Sequence, residues 1–342
     1  MNKRYGVIGL MLAIWLVGFG AYGVYQLHSQ LHAPTPLIVS YERGQPLARF
    51  FTKLEDHGVL ADSRFVMLVA KLSGKARRAK AGDYELTSDM DSLDVLNLLV
   101  SGQTVKYKIT LVEGFNIKET LRRIASHEKL IQDLPPRVDE IMPFLGLSGH
   151  PEGRFFPDTY LFDRNTRASE ILVRAQVRLE KVLAEQWQKK EEGLPYKTAY
   201  EALIMASIVE KETAAPEERE MISGVFARRL EKGMRLQTDP TVIYGLGNRY
   251  KGNIRRKHLR EKTAYNTYRI KGLPPTPIAM VGKEAIYAAL HPAEGSSLYF
   301  VAKGNGRHYF SSTLAEHNKA VREYQINKRK DSSQYKSTPD KK

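Results

Sequence analysis

Cysteine is absent from the 342 residues, which excludes disulfide staples, zinc ribbons, thiol nucleophiles and iron–sulfur ligation together. His-Glu-x-x-His is missing too, and His291, His308 and His317 lack metal-ligand spacing. Neither a metal nor any other cofactor is expected. Gly245-Leu-Gly247 has no third glycine and reads as a turn rather than a dinucleotide loop. Acidic residues are in deficit, 38 Asp+Glu against 53 Lys+Arg, giving a net charge of +15. The surplus calls for an anionic partner, whether nucleic acid, a lipid surface or an acidic polymer. Any catalysis falls to carboxylates, histidines, hydroxyls or lysines.

Charge of either sign is missing between Arg4 and Glu42. Residues 5–27 of that gap are predominantly apolar, and at about 1.5 Å per residue they are long enough for a bilayer core of about 30 Å. A spanning helix is expected there, with Tyr5, Trp15, Tyr22 and Tyr25 as interface anchors. A cleaved signal peptide is the competing reading. It fits less well, because the run exceeds a usual signal core and no small-x-small cleavage site follows it. Lys3 and Arg4 place residues 1–4 in the cytoplasm by the positive-inside rule, and everything after about residue 28 outside it. That topology removes nucleic acid as a partner.

Residues 28–36 form a linker to a small α+β region, 37–103. Its pattern is a strand at 37–41, helices at 47–54 and 64–72, a basic cluster at 75–80 and a strand at 82–87. A short helix at 92–100 closes it. The strand-helix-helix-strand order resembles a LysM-type glycan-binding unit, and a spacer domain with a solvated basic loop is the alternative.

A larger mixed α+β region follows, 104–326, so the fold class is α+β. It opens with an alternating strand at 104–112, an amphipathic helix at 117–125 and a loop dense in proline and aromatics at 151–160. A long helical pattern covers 168–187. In the next, 199–213, positions 202–209 are nearly all apolar, and the run ends in Glu210-Lys-Glu212. Met205, Ile208, Val209 and Glu212 stand at i, i+3, i+4 and i+7, so Glu212 extends the apolar stripe. A carboxyl at the edge of such a surface is poorly hydrated as an anion and stays protonated to higher pH. Glu212 is therefore the general-acid candidate and Glu210 the secondary one. Both being ordinary helix-end carboxylates is the competing reading.

Downstream, Gln237, Thr238 and Asp239 precede Pro240, either as a polar loop that orients sugar hydroxyls or as the start of the next helix. Tyr265, Asn266 and Thr267 combine a ring, an amide and a hydroxyl, a mixture suited to carbohydrate. Helices are expected at 222–230 and 283–290, and a hairpin with arms at 298–303 and 307–311. Residues 327–342 form a basic, polar tail expected to be disordered.

Ala206-Ser-Ile-Val-Glu-Lys-Glu-Thr213, Arg235-Leu-Gln-Thr-Asp-Pro-Thr-Val-Ile-Tyr-Gly245, Ala264-Tyr-Asn-Thr-Tyr268, Gly272-Leu-Pro-Pro275 and Leu298-Tyr-Phe-Val-Ala302, with Pro157-Asp-Thr-Tyr160 upstream, together resemble the endolytic murein transglycosylase (MltG/YceG-like) family. The resemblance implies a single-pass bacterial inner-membrane enzyme with its catalytic domain outside the cytoplasm. It implies a lyase that cuts nascent peptidoglycan strands internally at the MurNAc-GlcNAc bond, leaving 1,6-anhydro-MurNAc ends and terminating strand elongation. The second glutamate of the Glu-Lys-Glu-Thr motif, catalytic in that family, falls on Glu212. Gln237, Thr238, Asp239, Tyr265, Asn266 and Thr267 become candidates for holding the sugars. The implied partners are glycan strands, peptidoglycan synthases or penicillin-binding proteins, and the membrane. A water-using muramidase with Asp239 as second carboxylate, and a non-catalytic wall-binding scaffold, are the alternatives.

Overall fold

The computed structural model describes residues 2–33, 36–213 and 215–327. The basic tail from 328 onward lies outside the described residues, as do the side chains of Lys3 and Arg4 on which the expected topology rests. Helix α1 (Asn2–Leu27) contains Val7–Leu27, a stretch long and apolar enough to cross a membrane.

The described residues divide into two compact units, one of residues up to 108 with 161–165, the other of 109–160 with 166–327. The first contains α1, β1 (Leu37–Tyr41), α2 (Leu47–Asp56), α3 (Arg64–Leu72), β2 (Gly82–Leu86) and α4 (Ser92–Ser101). β1 and β2 pair antiparallel, Leu37 opposite Leu86 and Tyr41 opposite Gly82. Phe50, Phe51, Leu54, Val66, Tyr84 and Leu96 are buried in its core. α4 starts at a reciprocal cap between Asp91 and Asp94 and ends at Gly102, whose φ of 74° suits a residue without Cβ.

β3 (Tyr107–Thr110) carries the chain out of the first unit. The strand expected at 104–112 is shorter, and before it Val105 N–H bonds Asp83 O. Then come α5 (Ile117–Ala125), β4 (Leu130–Ile131), α6 (Ile141–Phe144), β5 (Thr159–Phe162), β6 (Thr166–Arg167) and α7 (Ala168–Gln188). β4 and β6 form a two-residue parallel ladder.

The centre of the second unit is α8 (Ala199–Glu212), capped by the Thr198 hydroxyl on Glu201 N–H. Every residue from Ala202 to Val209 is buried. Leu203, Ile204, Met205, Ile208 and Val209 are each worth about 1.5–3 kcal/mol of transfer free energy there. α9 (Arg219–Glu231), α10 (Asp239–Leu246) and α12 (Lys283–Leu290) enclose α8 together with α7, and α11 (Arg256–Arg260) precedes α12 in the chain. β7 (Tyr299–Ala302) and β8 (His308–Ser311) form the expected hairpin. Lys303 N–H bonds Arg307 O at 2.8 Å across Gly304-Asn305-Gly306, whose two glycines take φ of 82° and 80°. α13 (Leu314–Val321) follows, a helix not anticipated although Thr313 and Glu316 cap it reciprocally.

Candidate active site

Glu212 is the last residue of α8 and Thr213 already has extended backbone, so the buried helix delivers a carboxyl directly to its surface end. The residue is half-buried, but its carboxyl is packed away from bulk water. This desolvation, opposed by a hydrogen bond from Thr238 and reinforced by the charge of Asp239, pushes its pKa up to about 7. The Thr238 hydroxyl donates to Glu212 Oε1.

Thr238 is buried and held from behind. Its N–H donates to Thr267 Oγ1 at 3.0 Å, Thr241 Oγ1 donates to its carbonyl at 2.8 Å, and the Thr241 and Thr267 hydroxyls are 2.8 Å apart. Thr241 and Thr267 are fully buried. Gln237 N–H adds a bond to Thr267 O at 3.2 Å, and Gln237 takes a φ of 53°, unusual for a residue with a Cβ. The strain turns the chain sharply just before Asp239-Pro240 starts α10.

Glu212 borders two hollows. One, of about 470 Å³, is lined by Gln237, Asp239, Tyr268, Tyr299 and His308 among others. The other, of about 480 Å³, is lined by Glu113, Phe115, Glu210, Lys211, Thr213 and Arg219. Both belong to the second unit. In the first hollow the Tyr268 hydroxyl donates to Asp239 Oδ1 at 2.7 Å. In the second, Lys211 Nζ donates to Gly114 O at 3.0 Å.

Glu210 is held differently. Gly282 N–H donates to its Oε2 at 3.1 Å and Arg219 stands 3.9 Å from Oε1. Its pKa too is raised by burial, but both oxygens answer structural partners. Of the six residues read as sugar-holding candidates, Gln237 and Asp239 are exposed on the first hollow, whereas Thr238 and Thr267 form the buried support of Glu212. Asn266 is buried, its amide donating to the carbonyls of His258, Leu259 and Glu261 at 3.1, 3.3 and 2.6 Å. Tyr265 packs its ring 4.8 Å from Tyr244 and shares a 2.8 Å hydrogen bond with Thr276.

Glu152 escaped notice in the sequence, an acid inside the proline- and aromatic-rich loop at 151–160 with no spacing signal of its own. It is fully buried, accepting from Ile117 N–H at 2.9 Å and from the Tyr244 hydroxyl at 2.9 Å. Burial pushes its pKa up to about 7 despite those bonds. Among the described residues no group of three His, Asp or Glu is placed to hold a metal ion.

Fold and site define a helical α+β domain in which one carboxyl, protonated near neutrality, opens on polar, aromatic-walled hollows. The chain belongs to the YceG-like family, whose model matches residues 39–323. It is 31% identical over 309 residues to an endolytic murein transglycosylase of Bacillus subtilis, with 85% of each chain covered. To endolytic murein transglycosylases of two Streptococcus pneumoniae strains it is 26% identical over 370 residues, covering 93% of this chain and 65% of theirs. It therefore spans just under two thirds of the pneumococcal proteins. The crystal structure of a yceG-like protein from Listeria monocytogenes matches with a TM-score of 0.53 and 31% identity, over 84% of this chain and 99% of that one.

Proposed function

We propose that the chain is a membrane-anchored lytic transglycosylase, a lyase that cuts peptidoglycan glycan strands internally at the β-1,4 bond between MurNAc and GlcNAc. The observation that carries this reading is Glu212, a carboxyl whose pKa near 7 lets it serve as acid and then as base, set between two hollows. A strand lying along both hollows has sugars on each side of Glu212, as internal cleavage requires.

Glu212 donates its proton to the glycosidic oxygen as oxocarbenium character develops at C1 of MurNAc. The MurNAc C6 hydroxyl then attacks C1 and its proton passes to the Glu212 carboxylate. One bond forms as the other breaks, the 1,6-anhydro ring closes, and no water enters. Gln237 and Asp239 contact the sugars. Thr238 steadies Glu212, and Tyr265, Asn266 and Thr267 hold the wall in place rather than touching substrate. α1 anchors the protein with its N-terminus in the cytoplasm, beside peptidoglycan synthases whose strands it terminates. The β1-α2-α3-β2 unit serves as a LysM-like glycan holder, supported by its element order and antiparallel pairing.

The test is to incubate the protein with isolated glycan strands and weigh the fragments. Fragments one water lighter than hydrolysis products, with non-reducing anhydro termini, support the proposal. Fragments carrying the added water assign Asp239 the second carboxylate of a muramidase, and binding to sacculi without cleavage makes the protein a scaffold.

A further inference from the structure

Arg229 lines the first hollow yet is 7% exposed. A buried guanidinium is ordinarily matched by a carboxylate, but among the described residues Arg229 is in no ion pair. Its Nε donates to Leu298 O at 2.6 Å and its Nη1 to Arg235 O and Leu236 O at 3.2 and 2.8 Å. Its Cζ stands 5.0 Å from the centre of the Tyr299 ring. These neutral acceptors orient the fork and leave its positive charge unanswered, with Nη2 outside the carbonyl set.

Two imidazoles line the same hollow. His308 is locked to the buried Glu218, backbone N–H to Oε1 at 2.9 Å and ring Nδ1 to Oε2 at 2.7 Å. Nδ1 must donate to that carboxylate, so Nε2 is the nitrogen left for a ligand. His317 stacks on Tyr299 at 5.3 Å, and its Nδ1 is buried with no hydrogen-bond partner. The acids on this hollow are accounted for, Glu212 by Thr238 and Asp239 by the Tyr268 hydroxyl.

We infer that Arg229, His308 and His317 form an anion-binding subsite that takes a carboxylate borne by the peptide substituent of the glycan strand seated at Glu212. The inference rests on the transglycosylase reading and specifies its substrate: strands with ionised peptide stems over bare ones. It also gives the buried guanidinium a counter-ion that arrives with the substrate.

The wild-type protein is assayed on three substrates: strands with intact stems, the same strands with stem carboxylates converted to amides, and strands stripped of stems. A charge-assisted contact predicts kcat/KM about tenfold higher for ionised than for amidated stems. In Arg229→Gln and, separately, His308→Gln, that ratio falls towards one. Loss of packing alone lowers activity on all three substrates and leaves the ratio in place. Equal cleavage of ionised and amidated stems by the wild type overturns the subsite while the enzyme reading stands. Cleavage of none overturns the enzyme reading and the subsite with it. Because the decisive comparison uses the wild type, misfolding of a variant does not shelter the inference.

Discussion

The Thr238 hydroxyl donates to Glu212 Oε1 across 26 positions of sequence, joining the end of α8 to the residue that precedes α10. A donor on this oxygen stabilises the anion and lowers the pKa, while burial raises it more. Thr238→Val removes the bond at nearly constant volume. The pKa of Glu212 is then expected to rise above 7, moving the alkaline limb of the kcat/KM profile to higher pH. Strand cleavage measured from pH 5 to pH 9 shows this, and an unmoved limb would separate Thr238 from the acid–base step.

In the wild type a general acid must hold its proton. With Glu212 titrating at about 7, kcat/KM should be flat through mild acid and fall about tenfold per pH unit well above 7. A profile with no alkaline limb near that value would remove Glu212 as the proton donor.

Glu210 and Glu212 are two residues apart and both half-buried, so substitution tells them apart cleanly. Glu212→Gln should lower cleavage by at least about a hundredfold with little change in melting temperature. Glu210→Gln keeps an acceptor for Gly282 N–H and should retain most activity. Equal losses in the two would place the chemistry on the pair rather than on Glu212.

Glu152 makes a prediction about stability. Its folded pKa of about 7 exceeds the ordinary 4.5, so the native state binds the proton more tightly than the unfolded chain. Stability from this group is complete below about pH 4.5 and is lost as pH rises through 7, on the order of 3 kcal/mol in all. Glu152→Gln should flatten that decline and melt higher than the wild type at pH 8. Parallel melting curves for the two proteins between pH 4.5 and 8 would contradict it.

Asn266→Ala strips a buried donor from three carbonyls beyond and within α11. A loss of about 1–3 kcal/mol is expected, seen as a lower midpoint in urea. If the side chain contacts sugar instead, KM rises and the midpoint stays put.

Local periodicity made much of this architecture readable. α5 and α12 run at the bounds their patterns predict, Ile117–Ala125 and Lys283–Leu290, because each is a single amphipathic stripe with clear ends. α8 was legible as a buried helix ending in acids because apolar residues cover all its faces. The support behind Glu212 was not, since Thr238, Thr241 and Thr267 meet only after two loops fold together, and hydroxyl spacing carries no periodic signal. Glu152 was invisible for the same reason: its partners Ile117 and Tyr244 are 35 and 92 positions away. Arg229 follows Arg228 in the last turn of α9, and nothing local shows that it is buried without an acid.

The three threonines behind Glu212 also have a polarity. An amide N–H can only give and a carbonyl can only receive, so the circuit from Thr238 N–H through Thr267 and Thr241 back to Thr238 O runs in one direction. With its own main chain engaged at both ends, Thr238 has its hydroxyl proton free for Glu212 Oε1, and that oxygen is occupied as an acceptor. While the Thr238 hydroxyl donates to Oε1, a proton on Glu212 is best placed on Oε2. The circuit works as a sorting device, favouring one of two chemically identical oxygens as the carrier of the transferable hydrogen before any sugar arrives.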